Sequence, residues 1–115
     1  MPLLKLETTV RLSAETRGQL LSSLSKIVAQ DIGKPEQYVM VTIREASILM
    51  SGKDGDAAFV EVRSIGGLTA EMNRNLSRDV CALLQETLEM SPERVYLNYL
   101  DISASNWGWN GKTFG

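Results

Sequence analysis

The chain has no histidine and a single cysteine, Cys81, and those two facts shorten the list of chemistry open to it. Without histidine there is no Ser-His or Cys-His nucleophile pair, and most zinc sites are excluded. One cysteine makes neither an internal disulfide nor a Cys-x-x-Cys redox pair. Cys81 lies among Val80, Leu83 and Leu84, the setting of a small buried hydrophobe. Acid–base catalysis is left to carboxylates, lysine, tyrosine or the chain terminus. Pro2 follows the initiator methionine. By itself that position says only that a small residue there favours removal of Met1.

The remaining polar groups of interest fall into pairs with ordinary alternatives. Lys34 follows Gly33 at the end of a helical pattern, where a lysine complements the helix dipole. Tyr96 and Asn98 are two apart on a strand and share a face, which sheet packing also explains. Trp107 and Trp109 share a face as well, and aromatic pairs near a C-terminus commonly pack an interface.

The elements that must position these residues come from a duplication. Leu4-Lys5-Leu6 aligns with Val60-Glu61-Val62, and at the same offset Leu12-Ser13-Ala14-Glu15 falls on Leu68-Thr69-Ala70-Glu71. After one inserted residue Pro35-Glu36 matches Pro92-Glu93, and Val39-Met40-Val41 matches Tyr96-Leu97-Asn98. Two copies of one strand–helix–strand unit account for this, the first over about 2–45 and the second over about 57–102.

In the first copy Leu4, Leu6 and Thr8 alternate with Lys5 and Glu7, the period of a half-buried strand. Ser13 reads as the N-cap of a helix whose stripe is Leu20, Leu24, Ile27 and Val28, widened by Leu21. Gly33 ends it, Pro35 prevents its continuation, and Tyr38 to Arg44 reads as a strand. The second copy places a strand over Ala57 to Ser64. Its helix is capped by Thr69 and striped by Met72, Leu76, Val80, Leu83 and Leu84, and a strand follows from Arg94 to Asp101. Residues 51–56 form a polar turn between the copies. About 105–115 offers a short strand and an Asn110-Gly111 turn.

Right-handed crossovers put both helices on one face of a four-stranded mixed sheet, an α+β two-layer sandwich in one domain over 1–115. Val39, Val41, Ile43, Val60, Val62, Val95, Leu97 and Tyr99 would face the helices. Met40, Thr42, Arg44, Phe59, Glu61, Arg63, Tyr96, Asn98 and Leu100 would line the other face. That second face mixes apolar and polar groups, and a closed oligomer is the natural way to cover it.

Composition agrees with one modest core: 115 residues, 43% hydrophobic and 23% charged. A net charge of −2 gives no reason to expect nucleic acid or an anionic membrane as partner. No apolar run approaches the ~18 residues of a membrane span. Lys5 and Glu7 interrupt any signal-peptide pattern, so the expected location is cytoplasmic, or secreted without a leader.

Several separated segments carry a family resemblance. They are Met1-Pro2, Gly33-Lys34-Pro35 with Gln37-Tyr38, and Ser64-Ile65-Gly66. Further on come Ser91-Pro92, Arg94-Val95-Tyr96 with Asn98-Tyr99 and Asp101, Gly108-Trp109-Asn110, and Thr113-Phe114. With these the chain resembles the macrophage migration inhibitory factor family of tautomerases, in its microbial form, along its whole length. The resemblance implies a homotrimer with active sites at subunit boundaries and a cofactor-free, metal-free tautomerisation. The implied substrates are small enol or keto acids of the phenylpyruvate type, or dopachrome-like compounds.

It also implies that Pro2, freed of Met1, is the catalytic base and Lys34 the cation that holds or polarises the substrate. Ile65 would offer a backbone N–H, while Tyr96 and Asn98 reach in from a neighbouring subunit and Trp109 lines the pocket. Trp107 is a departure, since vertebrate members carry a small aliphatic residue there. Ala57-Ala58-Phe59-Val60 departs from the vertebrate Cys-x-x-Cys, so the thiol chemistry ascribed to that motif should not transfer. A second implied function is a partner-binding trimer, acting on a protein receptor, in which the pocket is vestigial.

Overall fold

The computed structural model describes residues 1–115, and its elements follow the duplication. Strand β1 (Pro2–Thr8), helix α1 (Ala14–Ile32) and β2 (Met40–Glu45) form the first unit. Strand β3 (Ala58–Ser64), α2 (Ala70–Leu88) and β4 (Val95–Asp101) form the second. The sheet order is β2-β1-β3-β4, with parallel pairs within each unit and β1 antiparallel to β3 between them. Lys5 opposite Glu61 lies at the middle of that central pair.

Local signals set the helix ends. Ser13 Oγ accepts from the Thr16 N–H at 3.1 Å, and Thr69 Oγ1 accepts from the Met72 N–H at 3.1 Å, each satisfying a donor the helix leaves free. Gly33 closes α1 at φ 74°, a left-handed conformation that costs glycine nothing, and its N–H donates to Ala29 O.

Strand alternation puts Leu4, Leu6, Val60 and Val62 beneath the helices, where Leu20, Leu24, Val28, Leu76, Val80 and Leu84 meet them fully buried. Each such side chain contributes about 1.5–3 kcal/mol by leaving water. Ile32 and Met90 extend this core beyond the expected stripes, and Ile27 lies at its edge.

The strands expected at Tyr38 and Arg94 start later than the sequence suggests. A 3-10 turn at Glu36–Tyr38 precedes β2, and another at Pro92–Arg94 precedes β4. Pro35 is the extended cap before the first turn, while Pro92 opens the second, where its fixed φ suits a first helical residue. The interunit segment is a tight loop, with left-handed Ser51 and Gly52 closed by a Met50–Lys53 bridge. After β4 the chain makes a small hairpin, β5 (Gly108–Trp109) with β6 (Lys112–Thr113). Asn110 and Gly111 both have positive φ in its turn. No helix is long and apolar enough to cross a membrane.

Candidate active site

Pro2 is the first residue of β1, level with Ser64 of β3, which is in turn level with Asp101 of β4. It is buried, and it lies on the wall of a cavity of about 850 Å³. Four pieces of chain build that cavity. Met1, Pro2 and Leu3 contribute the start of the central strand, and Gln37 to Met40 contribute the turn before β2. Ile102, Asn106, Trp107, Gly108 and Trp109 contribute the far side, and Arg63 reaches in from β3. None of these residues is acidic.

Met1 precedes Pro2 in this chain, so the Pro2 nitrogen is an amide and the free amine belongs to Met1. That amine is held below its ordinary value of 8.0, first by burial and then by the positive charge of Lys34. Lys34 itself follows the α1 cap, half-buried, and takes part in none of the chain's three ion pairs. Its stem runs beside the loop after β3. A Cβ at Gly67 would lie 3.9 Å from Lys34 Cε, and both Gly66 and Gly67 have left-handed φ. Ile65 starts this loop, directly after the residue level with Pro2.

Trp107 is half-buried and Trp109 is 61% exposed, and both line the cavity. Trp109 stacks on Phe114 with ring centroids 6.1 Å apart. The hairpin holds this end of the chain through the Phe114 N–H, which donates to Trp107 O at 3.1 Å.

Lys34 and Ile65 flank the chain start without lining the cavity, and Tyr96 and Asn98 are elsewhere. The latter two lie on the exposed face of β4, roughly 17 and 10 Å back from Asp101 at about 3.3 Å per residue. Within one chain they do not reach the cavity. Arg63, Tyr38, Met40, Ile102 and Asn106 are wall residues that the sequence did not single out for the site. The register supplies the missing signal for Arg63, which pairs with Leu3 and so stands next to Pro2. That antiparallel join between repeats is not readable from either repeat alone.

Comparison with known proteins points one way. The whole chain, residues 1–115, matches the macrophage migration inhibitory factor (MIF) family. It is 40% identical to mouse macrophage migration inhibitory factor over 115 residues, covering 99% of each chain. The solved homologue from Prochlorococcus marinus superposes with a TM-score of 0.92 at 35% identity, over 98% of this chain and 99% of that one. A structure solved after inactivation by 2-oxo-3-pentynoate superposes with a TM-score of 0.87 at 28% identity, over 96% and 94% of the two chains. With the fold, the cavity at Pro2 and these likenesses together, the chain belongs to the macrophage migration inhibitory factor family.

Proposed function

We propose that this chain is a cofactor-free keto–enol tautomerase of phenylpyruvate-like or dopachrome-like compounds, whose base is the Pro2 amine exposed when Met1 is removed. The observation that carries the reading is the place of Pro2. It is buried on the wall of an acid-free cavity, at the terminus whose amine is already depressed by burial and by Lys34. The same two influences would act on a Pro2 amine, lowering it and favouring its neutral form. A neutral amine takes a proton from the enol oxygen or the carbon beside the carbonyl and returns it to the other end of that system. One base serves both transfers, and atoms balance without a redox partner.

In this reading Lys34 answers the substrate carboxylate or the charge developing on the carbonyl oxygen. The Ile65 N–H adds to it, and Trp107 and Trp109 hold the organic part of the substrate. Tyr96 and Asn98, outside the single-chain cavity, act in the site of an adjacent subunit. The inactivation of a related chain by 2-oxo-3-pentynoate, itself a 2-oxo acid, supports a 2-oxo acid site.

The test is enol-to-keto conversion of phenylpyruvate followed by ultraviolet absorbance, on protein whose N-terminus is verified by mass spectrometry. Protein that retains Met1 should be slower by about 100-fold or more, the scale of a lost general base. Pro2→Gly with Met1 removed should keep partial activity through a primary amine. Equal rates for cleaved and uncleaved protein would exclude Pro2 as the base.

A further inference from the structure

Arg63 is the one charged side chain on the cavity wall. Its terminal nitrogen lies 3.4 Å from Glu61 Oε2, and Lys5 Nζ approaches the same oxygen at 3.7 Å. Two cations share one carboxylate, so the cluster keeps a net positive charge. The Arg63 Nε is buried and has no hydrogen-bond acceptor, while 39% of the side chain remains open. With the side chain open to this extent on the cavity wall, a guanidinium N–H that Glu61 does not hold can meet an arriving anionic oxygen. Around it the wall offers Tyr38, Trp107 and Trp109, so an anion arriving here would come attached to an apolar or aromatic body.

We infer that Arg63 is a second carboxylate-recognition group of this pocket, selecting 2-oxo acids that carry another acidic group away from the reacting carbon. Glu61 is its positioning residue, holding one arm of the guanidinium and leaving the rest to the ligand. The inference rests on the tautomerase reading for what is turned over, but not for what is bound. A purely structural role, as one member of the ion cluster on the sheet face, is the outcome it must beat.

The experiment compares phenylpyruvate with its 4-carboxy derivative on Met1-free protein, in wild type, Arg63→Met and Arg63→Lys. Wild type should prefer the diacid. The ratio of kcat/KM, diacid over monoacid, should fall about tenfold or more in Arg63→Met, the scale of a lost charge-assisted hydrogen bond. Arg63→Lys should fall between, since it keeps the charge and loses the fork.

Binding is read independently. The chain's two tryptophans both line the cavity, so quenching of their fluorescence by 4-carboxycinnamate against cinnamate reports occupancy without turnover. An affinity ratio that falls in Arg63→Met with no turnover by any form supports the Arg63 assignment and defeats the tautomerase reading. Turnover with both ratios unchanged within twofold in Arg63→Met defeats the assignment and leaves the tautomerase reading standing. If Arg63→Met does not fold, Arg63→Lys decides by the same two ratios. A wild type that prefers the monoacid in both assays also overturns the assignment.

Discussion

Lys34 carries a positive charge that no carboxylate of its own chain answers within ion-pair distance. Half-buried beside Gly67, it can still project its charge onto the chain terminus, as the depressed Met1 amine registers. If that charge serves a ligand, its loss costs binding and rate far more than stability. Lys34→Ala should lower kcat/KM for carboxylate-bearing substrates by about 10- to 100-fold. Its melting temperature should stay within about 4 °C of wild type, since a helix-end lysine contributes only ~0.3–1 kcal/mol through the dipole. Steady-state kinetics beside a thermal melt check this, and a melting shift with intact kinetics would leave only the dipole role.

Two contacts between elements carry predictions of their own. Asp31 in the last turn of α1 meets Asp79 of α2, and burial, then the Asp79 carboxyl, push Asp31 up to about 6. Asp79 goes the other way, held low by the hydrogen bond from Asp31, with the Arg78 guanidinium 3.1 Å from it. The Asp31 Oδ2 is also buried without a hydrogen-bond partner, which disfavours the charged carboxylate further. Asp31 is raised above its ordinary 3.8, so the folded chain binds more protons than the unfolded chain between those two values. Its contribution is fully present below 3.8 and is lost as pH rises through about 6. Melting temperature should therefore fall between about pH 4 and pH 6, and Asp31→Asn should flatten that slope. Equal slopes for the two proteins would remove Asp31 as the source.

The second contact is Arg94, whose guanidinium donates to the carbonyl oxygens of Asp56, Met50, Lys53 and Gly55 at 3.0–3.3 Å. It ties the loop between the repeats to the turn before β4. Arg94→Met should cost about 1–3 kcal/mol and speed amide exchange over 50–56. An unchanged melt and exchange pattern would show the loop holds its own shape.

For the molecule as a whole, the open question is what covers the sheet face away from the helices. Met40 at 62%, Tyr96 at 66% and Leu100 at 44% are exposed there, on a face that also holds Asn98 and Arg44. We propose a homotrimer, which buries that face and carries Tyr96 and Asn98 from one chain toward the cavity of the next. Light scattering at micromolar concentration should return three times the chain mass. A monomer would remove the trimer, and with it the neighbour's role for Tyr96 and Asn98.

Much of this architecture is legible in the residues because its causes are local. Ser13, Thr69 and Gly33 mark helix ends through hydrogen bonds and dihedral freedom confined to a turn, and the structure has them in those roles. The stripes Leu20-Leu24-Val28 and Leu76-Val80-Leu84 declare a buried face through periodicity alone, and the repeat makes the second unit readable from the first. The tight turns ahead of β2 and β4 escaped because a proline that stops one helix can also start the next turn, and sequence does not separate those uses.

The cavity belongs to a different order of information. Pro2, Tyr38, Arg63 and Trp107 are far apart in the chain and meet only when β1 pairs with β3 in its observed register and the C-terminal hairpin folds back. Strand pairing between distant segments depends on the summed packing of both faces, which no single segment encodes. Residue types thus determined which chemistry was available and which elements would form. The tertiary structure decided that Arg63 stands beside Pro2 and that Tyr96 does not, because a one-residue change of register would exchange the faces of the whole strand.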